Sequence, residues 1–261
     1  MCRWAAWSGA PKYIEELIRD PQHSLIHQSR NAFSCKTPVN ADGFGLAWYD
    51  SREEPCVYKD VRPAWADANL QQLAHHVRSP LFLAHIRAST GTATNQDNCH
   101  PFTFGRWCFM HNGQVGGYSA IRKQLDGMIP DRLYGHRTGG TDSEALFLIA
   151  VGHGLEHDPV GAMARAVQEV EEVSLANGKG PHMRFAASWS DGCHLFAGRY
   201  ASDDRAPSLY YRSFSDGTSV VSEPLDDALD SWVEVRASSV IQITDGSVEE
   251  CPFLPKLSSA A

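Results

Sequence analysis

The chain has 261 residues, of which 43% are apolar and 21% charged, a composition typical of a soluble globular protein. Lysine and arginine total 23 against 31 aspartates and glutamates, so the net charge is −8; with no basic run, this excludes a nucleic-acid binder as the first hypothesis. The longest apolar stretch, 145–151, is far shorter than the ~20 residues that span a bilayer, and the N-terminus lacks the apolar region of a secretion signal, so we expect a cytoplasmic protein that does not enter membranes.

Short apolar runs alternate along the chain with helical patterns. The spacing of apolar residues predicts helices at 13–19, 65–77, 142–152 and 159–175. Strands are predicted at 44–49, 81–86, 107–110, 185–190, 209–212, 219–222 and 240–244, and Asp-Gly or Asn-Gly pairs mark turns beside several of them. Hairpin-linked strands with helices between them favour an antiparallel α+β layered fold over a doubly wound parallel sheet. We expect one domain over residues 2–255 and a loose tail at 256–261.

Cys2 is the first residue whose position suggests chemistry. A free cysteine thiol has a pKa of ~8.5 and needs a base at neutral pH, whereas an α-amine titrates near ~7.7–8.0. If Met1 is removed, Cys2 carries both a nucleophilic thiol and its own base. The alternative is that Met1 stays and that Cys2 is a small residue at the start of a strand.

The predicted strand at 81–86 opens into a polar stretch that contains His85, Arg87 and Thr90. A strand end is a rigid place to mount a guanidinium, whose planar fork matches a carboxylate with two parallel hydrogen bonds. Arg87 is therefore a candidate for binding a substrate carboxylate. The alternative is an ordinary ion pair between Arg87 and a surface acid.

A second apolar strand is predicted to stop at Asn112-Gly113. A glycine lets the backbone expose its N–H, and the asparagine amide is a second donor beside it. Two convergent donors suit a tetrahedral oxyanion, and losing one costs about 3–4 kcal/mol of transition-state stabilisation. The alternative is a hairpin turn, for which Asn-Gly is a preferred pair.

Thr141 and Glu144 match the capping box of a helix, which places Asp142 at the first helical position. An aspartate there is stabilised by the helix N-terminus. If that end faces a cleft, the Asp142 carboxylate can hold a substrate ammonium. Capping alone also accounts for the pattern.

The order of these motifs resembles that of a known family. The segments are MCRW, DGFGLAWY, AHIRAST, NCHPF, FMHNG and TDSEALF, within roughly residues 2–150, followed by SEPLD at 222–226. Together they resemble the class II glutamine amidotransferases, and more closely their small stand-alone members, which include the amidohydrolase of ergothioneine biosynthesis. The resemblance implies an N-terminal-nucleophile hydrolase built as a four-layer αββα sandwich of two antiparallel sheets.

Carried onto this sequence, the resemblance makes Cys2 the nucleophile, with its freed α-amine as the base. The Asn112 side chain and the Gly113 N–H form the oxyanion hole. Arg87 binds the α-carboxylate of a glutamine or γ-glutamyl group, and Asp142 binds its α-amine. Supporting roles in substrate binding go to Thr90 and His85.

The implied reaction is thiolate attack on a γ-amide, loss of ammonia or an amine, and hydrolysis of the resulting γ-glutamyl thioester. Ala88 and Gly91 stand where several larger members carry tryptophan and histidine, so we expect an entrance that admits γ-glutamyl amides bulkier than glutamine. The fold uses nearly all 261 residues, leaving no synthase domain to consume ammonia. Hydrolysis of a small-molecule γ-glutamyl substrate is therefore favoured over ammonia delivery to a separate acceptor enzyme.

Two other classes of function stay open at this stage. One is a glutamine-sensing or γ-glutamyl-binding module without turnover, which a retained Met1 favours. The other is a metal protein built on Cys99-His100 and Cys108-x2-His111, but this spacing matches no usual zinc pattern. Seven scattered cysteines without a CxxC pair predict reduced thiols. We therefore expect no metal and no cofactor, and the sequence makes no prediction about the oligomeric state.

Overall fold

The computed structural model describes residues 2–30, 40–89, 91–178 and 180–254; Thr90 and the predicted tail at 256–261 lie outside these ranges. The described strands are β1 Arg3–Tyr13, β2 Phe44–Trp48, β3 Cys56–Asp60, β4 Arg78–Ile86, β5 Phe102–Phe104, β6 Trp107–Val115, β7 Met183–Ser190, β8 Leu195–Ala201, β9 Tyr210–Phe214, β10 Gly217–Val221, β11 Val233–Glu234, β12 Ser239–Thr244 and β13 Ser247–Pro252. The described α-helices are α1 Glu15–Ile18, α2 Leu25–Arg30, α3 Ala68–His76, α4 Tyr118–Met128, α5 Asp131–Tyr134, α6 Asp142–Gly152 and α7 Pro159–Ala176.

The strands form two antiparallel sheets. One has the order β11-β9-β10-β1-β4-β2-β3 and the other the order β13-β12-β8-β7-β6-β5. Because successive side chains of a strand point to opposite faces, each sheet can bury both of its faces. On β1, Trp4 and Ala6 pack between the two sheets, whereas Ala5 and Trp7 pack against α1–α3. Helices α4–α7 cover the outer face of the second sheet.

These layers confirm the predicted α+β class and the αββα sandwich. Of the described helices, none combines the length and the apolar character that crossing a membrane requires. The helix predicted at 142–152 is present as α6, and the one at 159–175 is α7 with one further residue. The helix predicted at 65–77 is interrupted at Asp67, whose carboxylate caps α3 by accepting from the Leu70 N–H at 2.7 Å.

The prediction that the strand at 107–110 stops at Asn112-Gly113 is wrong. β6 continues to Val115, with Asn112 opposite Ala186 and Gly113 opposite Phe185. The hairpin-turn interpretation of this pair is therefore wrong as well, because pairing with β7 outweighs the local turn preference. Both candidate oxyanion donors consequently lie within β6, where it pairs with β7.

Candidate active site

The pairing of β1 with β4 places Cys2 beside Arg87. Arg3 pairs with Ile86 across β1 and β4, so extending the antiparallel register by one residue sets Cys2 opposite Arg87. Directly opposed residues of such a pair have Cβ atoms about 4.5–5.5 Å apart. The Ala88 N–H donates to the Cys2 Sγ at 3.3 Å, and the thiol lies 3.5 Å from the Ala88 carbonyl oxygen. The candidate nucleophile and the candidate carboxylate-binding residue are therefore neighbours.

The Asn112 side chain points into the same space from the other sheet. Side chains alternate between the two faces of a strand, so every second residue lies on the same face. On β1, β4 and β6, the residues on the same face as Cys2, Arg87 and Asn112 form the core between the sheets. The Trp4 indole N–H donates to the Ala186 carbonyl at 3.2 Å, which joins the two sheets here. Ala186 is the β7 partner of Asn112, so Cys2 and Asn112 lie at one end of the sandwich.

The thiol of Cys2 is half-buried. Burial raises its pKa above the ordinary value, and the hydrogen bond from Ala88 and the positive charge of Arg87 oppose that rise. A raised pKa keeps the sulfur protonated at neutral pH. The site therefore needs a base to activate this nucleophile, as the α-amine hypothesis supposes.

Arg87 is a buried guanidinium, with 3% of its surface exposed. It donates to the Asp42 carbonyl at 3.2 Å, and on its other side to the Ser89 hydroxyl at 3.1 Å, the Thr92 hydroxyl at 2.8 Å and the Ala93 carbonyl at 3.1 Å. Within the ranges described above, no Asp or Glu carboxylate forms an ion pair with it, so the alternative of an ordinary surface ion pair is wrong. A buried cation held only by neutral acceptors is suited to an anionic ligand.

Asp142 joins the start of α6 to the strand that carries the oxyanion candidates. Thr141 caps the helix by accepting from the Glu144 N–H at 3.1 Å, as the sequence predicts. The Asp142 carboxylate accepts from the Val115 N–H at 2.9 Å and from the Ser143 N–H at 2.8 Å. These bonds fix the carboxylate at the end of β6. The helix is therefore capped as predicted, but by Thr141, and the Asp142 carboxylate instead binds the Val115 N–H of β6.

The reciprocal half of the capping box is absent from the described contacts of Glu144. Its carboxylate instead accepts from the N–H groups of Thr138 and Gly139, at 2.9 Å each, and from the buried Arg137 at 2.6 Å. This network shapes the 137–140 turn that leads into α6. The sequence pattern predicted the correct cap but the wrong partner for Glu144.

The Gly113 N–H points toward the cleft side of β6. N–H groups two residues apart along a strand point to the same edge, and the Val115 N–H points at Asp142. On that edge β5 pairs with β6 only as far as Phe109, so the ladder ends before Gly113. A Cβ at position 113 would overlap the Arg184 carbonyl oxygen and the His111 Nε2. Glycine is therefore required for the close packing of this part of the strand.

A cleft of about 550 Å³ opens beside Gly113 and Asp142, whereas Cys2, Arg87 and Asn112 are not part of its wall. Its volume is within the ~300–1,000 Å³ range of small-molecule sites. We call it the site cleft. It is lined by Gly91, Thr92, Gly113, Gln114, Val115, Gly116, Gly117, Tyr118, Ser119, Asp142, Gly180 and Pro181. Backbone groups and small side chains dominate this wall, and Asp142 is its one charged side chain among the described residues. The cleft thus combines space for a substrate with one fixed negative charge.

His85 lies deeper than the other candidates. It is 1% exposed, points between the sheets and stacks on His100 with ring centroids 4.2 Å apart. Burial lowers its pKa to about 3, so the ring is neutral. The ring nitrogens of both His85 and His100 are buried. Its supporting role in substrate binding stays a prediction, as does that of Thr90, which is outside the described residues.

The candidate metal ligands do not come together. Cys108 points between the sheets, whereas His111 points to the helix layer. The two ring nitrogens of His111 contact the Ser143 hydroxyl at 2.9 Å and the Arg184 carbonyl at 3.1 Å. His100 packs on His85 between the sheets. Across the described ranges, no group of three or more His, Cys, Asp or Glu side chains is arranged to hold a metal ion.

Sequence reasoning missed two charged residues beside Cys2. Arg3 and Glu223 form a buried ion pair with an N–O distance of 2.5 Å, and Arg3 also donates to the Cys2 carbonyl. Both residues stand inside segments that carry the family resemblance, MCRW and SEPLD. The sequence signal that could have indicated this ion pair was the presence of opposite charges in two family motifs that lie 220 residues apart.

The sequence profile of the class-II glutamine amidotransferases matches residues 24–212, which is most of the chain. The chain belongs to this family. The probable glutamine amidotransferase DUG3 of Saccharomyces cerevisiae is 32% identical, over 97% of this chain and 85% of that protein. The gamma-glutamyl-hercynylcysteine sulfoxide hydrolase of Mycolicibacterium smegmatis is 28% identical, over 97% of this chain and all of that protein.

Solved structures agree with this assignment. A glutamine aminotransferase class-II domain protein from Silicibacter pomeroyi is 46% identical, with a TM-score of 0.78 over 97% of this chain and 100% of that one. The glutamine phosphoribosylpyrophosphate amidotransferase of B. subtilis, 15% identical with a TM-score of 0.64, shares the fold over 97% of this chain and 49% of its own. The predicted family, the sandwich fold and the amide-cleaving enzyme class are confirmed.

Proposed function

We propose that this amidotransferase-family enzyme hydrolyses the γ-amide bond of a γ-glutamyl compound with Cys2 as its nucleophile. The observation that carries the proposal is Arg87, a buried guanidinium beside Cys2 without a carboxylate partner among the described residues. Asp142 supplies the opposite charge in the site cleft. A γ-glutamyl head group carries one α-carboxylate and one α-ammonium, so these two side chains can read both charges.

The chemistry follows from the positions of the groups. With Met1 removed, the α-amine of Cys2 takes the thiol proton, and the sulfur attacks the γ-carbonyl carbon. The Gly113 N–H and the Asn112 amide stabilise the oxyanion of the tetrahedral intermediate. Collapse breaks the C–N bond, and the proton held by the α-amine passes to the leaving nitrogen. Water then attacks the γ-glutamyl thioester and releases glutamate and the free thiol.

We further propose that the leaving group is an amine larger than ammonia. The wall of the site cleft includes Gly180 and Pro181 as well as Asp142, and a Cβ at Gly91 in that wall would meet nothing within 4 Å. The mycobacterial relative is named for a γ-glutamyl substrate with a large amine component. Both points favour hydrolysis of a γ-glutamyl conjugate by a single domain over residues 2–255, with no transfer of ammonia to a separate synthase.

A substrate panel tests this function. Protein whose intact mass shows the loss of Met1 is incubated with glutamine, γ-glutamyl amides of amino acids, their α-glutamyl isomers and asparagine, and released glutamate is measured. We expect γ-linked compounds to be cleaved, bulky ones with a higher kcat/KM than glutamine, and the α-linked isomers to be spared because they lack the free α-carboxylate that Arg87 binds. Binding of glutamine without release of glutamate from any γ-linked compound would instead support a sensing module.

A further inference from the structure

The proposed nucleophile, Cys2, lies at the very start of a strand. β1 begins its pairing at Arg3 with Ile86, so Cys2 precedes the first ladder residue. Terminal residues are mobile unless other groups hold them. Catalysis by a terminal thiol and its own amine needs both atoms fixed against the γ-carbonyl, and a misplacement of about 1 Å can cost about a hundredfold in rate.

A distant charged residue reaches this end of the strand. The Arg3 guanidinium donates to the Cys2 carbonyl at 3.1 Å through Nη1 and to the Glu223 carboxylate at 2.5 Å through Nη2. Arg3 is 2% exposed and Glu223 9% exposed, so the pair is shielded from water. A buried ion pair holds its geometry firmly, because removing one charge leaves the other desolvated.

The neighbour of Glu223 fixes the next residue of β1. The Ser222 N–H donates to the Trp4 carbonyl at 3.0 Å, and the Ser222 hydroxyl accepts from the Trp4 N–H at 3.0 Å. The segment is itself anchored from outside, since the Leu225 carbonyl accepts from the His23 N–H at 2.8 Å. The 222–225 segment therefore holds residues 2–4 through backbone and side-chain bonds together.

We propose that Glu223, acting through Arg3, is a positioning residue that fixes the backbone of Cys2 and thereby aligns its thiol and α-amine with the γ-carbonyl. This inference rests on the proposed function, because it supposes that Cys2 is the nucleophile. The charge of Arg3 also favours the thiolate of Cys2. The other ion pair of β1, between Lys12 and Asp216, is longer at 3.6 Å and its acid is 47% exposed, so it cannot impose comparable order.

The test uses variants of Glu223, since a substitution that far from the N-terminus in sequence leaves the removal of Met1 unaffected. Glu223→Gln is compared with Glu223→Asp, which keeps the charge, and with Asp226→Asn, which breaks the more exposed Arg212–Asp226 ion pair in the same region. For each protein one measures kcat, KM, the labelling rate of Cys2 by a glutamine-shaped γ-diazoketone and its alkylation rate by iodoacetamide.

We expect Glu223→Gln to lower kcat and diazoketone labelling together, by about tenfold to a hundredfold, with KM changed less than about twofold. Alkylation by iodoacetamide, which needs no alignment, stays close to wild type. Glu223→Asp recovers part of kcat, and Asp226→Asn behaves as wild type.

Three results would overturn the inference and are distinguishable. If wild type turns over and is labelled but Glu223→Gln matches Asp226→Asn in kcat, positioning by Glu223 is wrong and the proposed function stands. If Glu223→Gln loses kcat while iodoacetamide alkylation rises sharply and the melting temperature falls, the residue is only structural. A wild-type protein that is neither active nor labelled would remove the proposed function, and this inference with it.

Discussion

The sandwich has a cleft at each end, and the larger one is not the candidate active site. The far cleft, about 690 Å³, includes Ser8–Ala10, Cys193, Asp216 and Asp245 in its wall. Ser8–Ala10 lie six to eight residues along β1 from Cys2, or roughly 20–26 Å at about 3.3 Å per residue. The site cleft, about 550 Å³, is lined by Gly113 and Asp142, and Thr92 of its wall accepts a hydrogen bond from Arg87.

The two ends differ in their charges more than in their size. The far cleft is formed by glycine-rich turns, its described wall carries no Arg, Lys or His, and Asp216 is paired with Lys12. Its cysteine, Cys193, is exposed. At the other end, a buried guanidinium that has no carboxylate partner in the described ranges lies beside the half-buried Cys2. The buried guanidinium beside Cys2, rather than cleft volume, is therefore the reason for proposing the site at this end.

Replacing the cysteine at each end with alanine, in two separate variants, tests this comparison and has the largest expected effect. Cys2→Ala removes the nucleophile, and we expect γ-glutamyl hydrolysis to fall by at least about a thousandfold. Cys193→Ala removes the thiol of the far cleft and leaves the rate within about twofold. Glutamate release from a γ-glutamyl amide measures both, and equal losses in the two variants would contradict the assignment of the site.

Removing the buried cation gives the next largest effect. Arg87→Met takes away the guanidinium that we propose binds the α-carboxylate, and we expect kcat/KM to fall by about a hundredfold to a thousandfold, mostly through KM. Arg106→Met, near Cys193 and the far cleft, is the control and leaves kcat/KM unchanged. An unchanged KM in Arg87→Met would show that the carboxylate binds elsewhere.

Substituting alanine for one glycine in the site and for one on the surface compares how tightly the two places are packed. In Gly113→Ala the new Cβ overlaps the Arg184 carbonyl and His111, so the free energy of unfolding falls by about 1–3 kcal/mol and activity drops as the N–H moves. In Gly127→Ala the Cβ meets nothing within 4 Å on α4, so the protein gains about 0.5–1 kcal/mol. Denaturant unfolding compares them, and a stable, active Gly113→Ala would contradict the described packing.

A pH series concerns the interior between the two clefts. Burial lowers the pKa of His85 to about 3, below the ordinary value of 6.5, so below pH 6.5 the unfolded chain binds a proton that the folded protein does not. Stability is therefore complete above pH 6.5 and falls as the pH drops toward 3, by up to about 1.4 kcal/mol per pH unit for this group.

The variant His85→Phe isolates that dependence. We expect it to flatten the fall in unfolding free energy between pH 6.5 and 4, whereas His76→Gln, at an exposed position on α3, leaves the slope unchanged. An identical slope in His85→Phe and wild type would show that His85 is protonated in the folded protein.

Local signals were enough to predict part of the fold. α6 was predicted with its observed bounds because Thr141 caps it and an apolar run fills it. The Asp245-Gly246 turn is observed as a two-residue hairpin loop, with both residues at positive φ. In each case, the physical cause lies within a few residues of the feature.

Non-local pairing decided the rest. The turn preference of Asn112-Gly113 yields to pairing with β7, which lies 70 residues further along the chain. The approach of Cys2 to Arg87 depends on the register of β1 with β4, and the bond of Arg3 to Glu223 on the position of a segment 220 residues away. Composition and periodicity carry no record of such pairings, which is why the ion pair beside the nucleophile was missed.

The central claim is that Cys2, with Met1 removed, is the nucleophile of a γ-glutamyl site. The most direct measurement is the intact mass of the protein before and after exposure to a glutamine-like γ-diazoketone. The account predicts a starting mass without Met1 and a single adduct that maps to Cys2, is blocked by excess glutamine and is absent in Arg87→Met. A protein that has lost Met1 and still leaves Cys2 unlabelled would contradict it.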